Sequence, residues 1–347
     1  MTEPTNIPKY LQNQWLLLSG AIYGLLMRII FMANPFSLFP NFSWMDDSKI
    51  ESIATGPMMA SFALLVPAII GAVSYYYYYQ AESEKRTFAR SLFAGYPATL
   101  CFVGGTAILL IEGSICIAIA LPLFLIMTSI GGALMWLFLR FKKPSPTSIN
   151  SLLVLPLFMI PIEAQIGLPA NNQAISQSVM VQASPDKVWQ LINNMDNIQP
   201  KEMQEGLAYK IGVPSPLDAT IVNEQGGRVR KVRLAKNVAF DMLITDWQEN
   251  RFVKWTYRFT PESFPKGAMD EHVVIGGKYF DLIDTSYLLT PVGDSTRLDI
   301  VVHYRISTNF NWYANPLGKL LIDNSAKQIL SLYKHRAEAL AASEAKS

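Results

Sequence analysis

Three histidines and two cysteines are the whole stock of imidazole and thiol chemistry in this chain of 347 residues. Cys101 and Cys116 stand far from every histidine, so no zinc-like spacing exists and no metal is expected. His272 follows Glu271 inside Pro261–Lys278, a segment that interrupts a strand pattern and contains Gly276-Gly277. A glycine-flanked segment suits a lid over a cavity, with Glu271 or His272 at a ligand's polar end. Its plainer reading is a solvated loop. His303 alternates with Val302 and Tyr304 in a strand. Beside Asp281 or Asp284 it would serve as a general base; on a polar sheet face it has no chemical role. Arg228, Arg230, Lys231 and Arg233 make a basic strand, read first as a solvated face and second as a contact for anionic headgroups or a partner. No phosphate loop or nucleophile elbow is present, and no cofactor is expected.

Three further charges lie within long apolar runs: Arg28, Glu112 and Glu163. Charge at membrane depth is costly and often functional. Either each side chain snorkels to the headgroups, or Arg28 pairs with Glu112 or Glu163 and fixes helix packing.

These residues need elements to position them, and composition divides the chain in two. Positions 1–170 hold 17 charged residues and positions 171–347 hold 39. Four to five apolar runs in the first part approach the ~20 residues a bilayer span requires: Trp15–Met32, Pro57–Tyr76, Leu92–Ile111, Ser114–Leu139 and Ser151–Leu168, the last weakened by Pro156, Pro161 and Glu163. Glu112-Gly113-Ser114 breaks the longest run into two antiparallel helices. Gly104-Gly105 and Gly131-Gly132 permit close helix approach. Basic residues mark cytoplasmic loops. Lys85, Arg86 and Arg90 follow the second run, and Arg140, Lys142 and Lys143 follow the fourth. Asp46, Asp47 and Glu51 outweigh Lys49 between the first two. The N-terminus, with Lys9, is then cytoplasmic. If the fifth run crosses, the C-terminal part is periplasmic, as in a bacterial inner-membrane protein; if it is only interfacial or re-entrant, that part is cytoplasmic. Trp15, Trp44, Trp136 and the run Tyr75–Tyr79 suit the headgroup region. The first fourteen residues do not read as a cleavable signal peptide. The formal net charge of +2 points no field at nucleic acid.

The second part reads as α+β. Pro169–Gln173 is a linker, Gln177–Ala183 a strand, and Ser184-Pro185-Asp186 a helix start leading into Val188, Leu191 and Ile192. Alternation then marks strands over Asp218–Asn223, Arg228–Leu234, Ala239–Thr245, Arg251–Phe259, Tyr279–Thr290 and Thr296–Ile306. A helix of about Asn315–Ala342 closes the chain, with Leu317, Leu321, Ile329, Tyr333, Ala337 and Leu340 on its apolar stripe.

The run Val181-Gln182-Ala183-Ser184-Pro185-Asp186-Lys187-Val188-Trp189 and the closing strand plus helix resemble the START-like, or SRPBCC, helix-grip superfamily over about 177–342. The resemblance implies a curved antiparallel sheet around the last helix and an apolar cavity for a lipid, isoprenoid or quinone. It carries over no catalytic residue. The expected architecture is a membrane α-helical domain, 1–169, followed by an α+β helix-grip domain, 170–347. The expected function is binding of a hydrophobic small molecule beside membrane lipids, without nucleic acid and without an assigned reaction. Trp255, Tyr257, Phe259, Glu271, His272, Tyr279, His303 and Tyr304 are the expected ligand contacts. A cyclase-type enzyme using Glu271, His272 or His303, and a scaffold that docks a protein partner, are the alternatives.

Overall fold

The computed structural model describes residues 9–32, 52–81, 87–142, 144–203 and 205–344, with side chains from Leu18 onward. Trp44, Asp46, Asp47, Lys49, Glu51, Lys85, Arg86 and Lys143, and the side chains of Lys9 and Trp15, lie outside that description, and with them most of the loop charges read for orientation. Met1–Pro169 together with Thr308–Phe310 form one compact unit; Ala170–Ser307 and Asn311–Ser347 form the other.

The first unit is helical: α1 Lys9–Met32, α2 Val66–Ala81, α3 Phe88–Phe93, α4 Tyr96–Ile108, α5 Ser114–Phe141, α6 Pro146–Asn150 and α7 Leu155–Glu163. Among the described residues four stretches are long and apolar enough to cross a bilayer, by length and composition: Ser61–Ala81, Phe88–Ile108, Ser114–Phe141 and Pro146–Glu163; Leu18–Met32 is a shorter apolar stretch. Helix ends differ from the hydropathy reading where local chemistry outweighs it. Ser145 caps α6 by accepting from the Ser148 amide, so the last run starts before Ser151. It also stops at Glu163, because Leu168 N–H bonds to Ser52 O and Ile53 pairs with Gly167. Glycines set the helix spacing. A Cβ on Gly131 would fall 1.8 Å from Ala68 O, and one on Gly71 1.9 Å from Thr128 O. Backbones therefore touch where α2 crosses α5, as small residues allow. The tyrosine run is not a uniform headgroup belt. Tyr75 and Tyr76 are fully buried against Met135, Leu139 and Ile149.

In the second unit β1 spans Asn171–Val181, β2 Asn194–Met195, β3 Pro216–Glu224, β4 Gly227–Leu234, β5 Ala239–Gln248, β6 Phe252–Arg258, β7 Phe280–Val292 and β8 Ser295–Ile306. They form one antiparallel sheet in the order β1-β8-β7-β6-β5-β4-β3-β2. Short helices α8 Pro185–Asn193, α9 Pro200–Met203 and α10 Leu207–Lys210 lie between β1 and β3, and α11 Asn311–Glu344 ends the chain. This is a helix-grip-like sheet with a long C-terminal helix. The expected linker is shorter than its polar sequence implied: Asn171, Asn172 and Gln173 already pair with Ile306, Arg305 and Tyr304. Ser184 sits at the N-cap of α8 without a side-chain cap bond. The core lies between the inner sheet face and α11, where Trp255, Tyr287, Leu289, Leu298 and Ile300 meet Leu330, Tyr333 and Ala337.

Candidate functional site

The inner face of the sheet holds a cation among aromatic rings. Arg230, Met242 and Tyr257 are register partners across β4, β5 and β6. Arg230 is 5% exposed. Its Nη2 donates to the Tyr333 hydroxyl of α11 at 2.9 Å, and its Cζ lies 4.8 Å from the centroid of the Trp255 ring. Its Nε–H has no acceptor. Trp255 packs on Tyr287 at 5.3 Å, and Tyr287 meets Tyr333 edge-on at 5.7 Å. Tyr257 and Thr285 share a hydroxyl hydrogen bond of 2.7 Å. Burial pushes the phenols of Tyr257 and Tyr287 upward, so both stay protonated at neutral pH; Arg230 opposes that shift without reversing it.

The energetics of this arrangement are unusual. Depriving a buried ion of its partner is typically destabilising by about 3–5 kcal/mol. A desolvated cation–π contact returns about 2 kcal/mol, and a guanidinium cannot lose its proton. Arg230 therefore sits in an environment that a negative charge would improve. Alternation alone did not reveal this. Val229, Arg230 and Val232 are all buried although they divide between the two faces of β4, so a strand read as a solvated basic face conceals one inward arginine.

An aromatic patch continues from Tyr257 toward solvent. Tyr257 stacks on Phe259 at 5.9 Å, Phe259 packs on Phe240 and Phe264 at 5.3 and 5.5 Å, and Phe240 stacks on Phe264 at 6.4 Å. Phe264 belongs to the 261–278 segment, which is packed down rather than solvated throughout. Ser263 and Ala268 are buried, and Lys236 Nζ holds Gly212 O and Ala268 O at 2.7 and 3.2 Å. Gly276, at φ 78°, is needed there: a Cβ would meet the Phe259 ring at 2.4 Å.

The expected ligand contacts do not form one cluster. Trp255, Tyr257 and Phe259 share the inner aromatic track. Tyr304 is inward and fully buried but stands near Asp323, which with burial raises its phenol. Tyr279 is buried beside His272, ring to ring at 6.4 Å, while Glu271 is exposed on the same short turn. His303 faces the opposite side of the sheet from Tyr304. There its Nδ1 meets Asp284 Oδ1 at 2.7 Å, and Lys254 Nζ meets Asp284 Oδ2 at 3.2 Å. Strand alternation makes this unavoidable, because neighbours in β8 point to opposite faces. Asp281, opposite Arg305, has its carboxyl raised by burial, with Arg305 acting against the shift. An open groove of about 390 Å³ runs between β1 and α11, lined by Ser178, Val179, Lys327, Leu330, Lys334 and His335 among others. None of the expected contacts lines it. Among the described residues no His/Cys/Asp/Glu group could hold a metal ion.

In the first unit Arg28 Nε meets Glu112 Oε1 at 2.5 Å, both side chains being largely buried. Leu110, at φ 53°, ends α4 in a left-handed turn closed by Ile111 N–H to Thr106 O at 2.9 Å. That turn brings Glu112 to Arg28. Glu163 does not join them. Its carboxylate accepts from Ala60 N, Ser61 N and Ser61 Oγ at 2.5, 2.9 and 2.7 Å, and from Asn309 Nδ2 at 3.1 Å. It thus caps the helical stretch that starts at Ser61, where backbone N–H groups favour an anion.

No protein-family profile matches the chain, and no curated protein matches it. Solved structures do. A START superfamily protein from Mycobacterium smegmatis is 15% identical, covering 48% of this chain and 98% of its own, at a TM-score of 0.33. The Zhui aromatase/cyclase from Streptomyces sp. R1128 is 15% identical, covering 48% and 94%, at 0.30. Ara h 8.0201 is 14% identical, covering 50% and 99%, at 0.30. These neighbours are START- and Bet v1-like proteins. Each matches about half of this chain.

Proposed function

We propose that this is an integral membrane protein whose C-terminal helix-grip domain takes up a hydrophobic molecule, of lipid, isoprenoid or quinone type, at the membrane surface. The observation that carries the reading is the aromatic track on the inner sheet face, from Trp255 through Tyr257 and Phe259 to Phe264 of the covering segment. Aromatic walls with a few placed polar groups are the usual lining of small-molecule sites. Four helices of bilayer-spanning length and apolarity supply the anchor. Cyclase-type acid–base chemistry is the second reading. It would draw on Glu271, His272 or His303, and it is weakened because His303 lies on the outer sheet face with 43% of its side chain exposed.

The test is organic extraction of the detergent-purified full-length protein, followed by mass spectrometry. One apolar molecule, enriched over the detergent and bulk-lipid background, is the expected result. Repeated extraction without enrichment would remove the binding reading.

A further inference from the structure

We infer that the interior site at Arg230 receives the acidic end of an apolar ligand: a monoanionic carboxylate on a hydrocarbon or fused-ring body. The inference rests on the binding function proposed above and names the class of molecule bound.

The charge pattern of the sheet carries it. Four more exposed arginines of this domain have carboxylates: Arg233 with Asp218, Arg258 with Asp241, Arg297 with Asp299 and Arg336 with Glu202; Arg228 lies instead over the Trp247 ring, and Arg305 donates to the carbonyls of Lys278 and Gly277. Arg230, the buried one, has none among the described residues. Its only hydrogen-bond partner is a neutral phenol, and its Nε–H is unused. The phenols nearest it, Tyr257, Tyr287 and Tyr333, are neutral and bring no negative charge, and the Tyr257 hydroxyl is already engaged with Thr285. One fixed positive charge, buried among neutral groups and with an unused N–H, calls for an acceptor with one negative charge. A carboxylate fits the planar guanidinium edge. A phosphate dianion would leave charge uncompensated against a single cation, and a cationic head would be repelled. Trp255 against the ion, and the aromatic track from Tyr257 toward Phe264, offer apolar surface for the ligand's body.

Two probes of equal chain length separate head from tail. Palmitate and hexadecanol are titrated into delipidated full-length protein in detergent, at about pH 8, where the acid is ionised. Palmitate is expected to bind at least about tenfold more tightly than hexadecanol, equivalent to about 1.4 kcal/mol. Arg230→Gln should abolish that preference. Tyr333→Phe, which frees Nη2 but keeps the guanidinium, should retain it. If Arg230→Gln does not fold, the wild-type contrast and Tyr333→Phe still decide. Equal binding of both probes, or a preference that survives Arg230→Gln, overturns the acidic-head inference. Hexadecanol binding and extracted apolar ligand would then leave the broader reading intact. Binding of neither probe, with no extracted ligand, removes both.

Discussion

Arg28 shows how a single charged residue can be tolerated inside an apolar helix. Its Nε meets Glu112, yet its Nη1 has no acceptor, so the pair is stabilising only as a pair. Glu112→Gln strands a buried cation and should lower stability by about 3 kcal/mol, as should Arg28→Met for the stranded carboxylate. The double variant should lose at least about 1 kcal/mol less than the sum, because the two penalties share one cause. Thermal unfolding of the four proteins in one detergent measures the cycle. Strict additivity would show that the two side chains act separately. Glu163 differs in kind. Its charge is met by N–H and O–H donors rather than by a cation, which residue type and depth alone do not distinguish from an ion pair.

At the scale of elements, the glycines divide by what they face. Gly131 meets a carbonyl of α2, whereas Gly104 has no neighbour within 4 Å of an added Cβ. Gly131→Ala should force α2 and α5 apart and destabilise by about 3 kcal/mol. Gly104→Ala should be neutral or stabilise by up to about 1 kcal/mol, since alanine is the better helix former. The difference in apparent Tm between the two variants checks this, and equal effects would mean that helix contact does not depend on the close approach. Both glycine pairs look alike in sequence; only packing separates them. Strands were more legible. Arg251–Phe259 and Thr296–Ile306 alternate so regularly that their bounds fall within a residue or so of β6 and β8. The first strand was less so, because Asn171–Gln173 have no apolar face and are drawn into the sheet by pairing with β8.

For the molecule as a whole, the proposed five-span topology makes a directional claim. With the N-terminus cytoplasmic, the C-terminal domain should be periplasmic. A reporter fused after Ser347 should therefore be active only outside the cytoplasm. Cytoplasmic activity would overturn the five-span topology and mean that the fifth run, Ser151–Leu168, does not cross. The same two-part organisation frames the ligand proposal, since an apolar acid partitions into a bilayer beside the domain that would receive it.

The sequence by itself determined class. Charge density separated an apolar part from an ordinary α+β part, strand periodicity marked most of the sheet, and a three- and four-residue stripe marked the closing helix, because these signals repeat along the chain. Tertiary structure decided which side chains meet. It set His303 against Asp284, matched Arg28 with Glu112 and Glu163 with a helix start, and turned one arginine of a basic strand inward. Those outcomes depend on the bulge between Leu282 and Asp284, the turn at Leu110 and the position of Tyr333 over β4. Each of those pairings joins residues distant in sequence, and no local pattern encodes which partner is met.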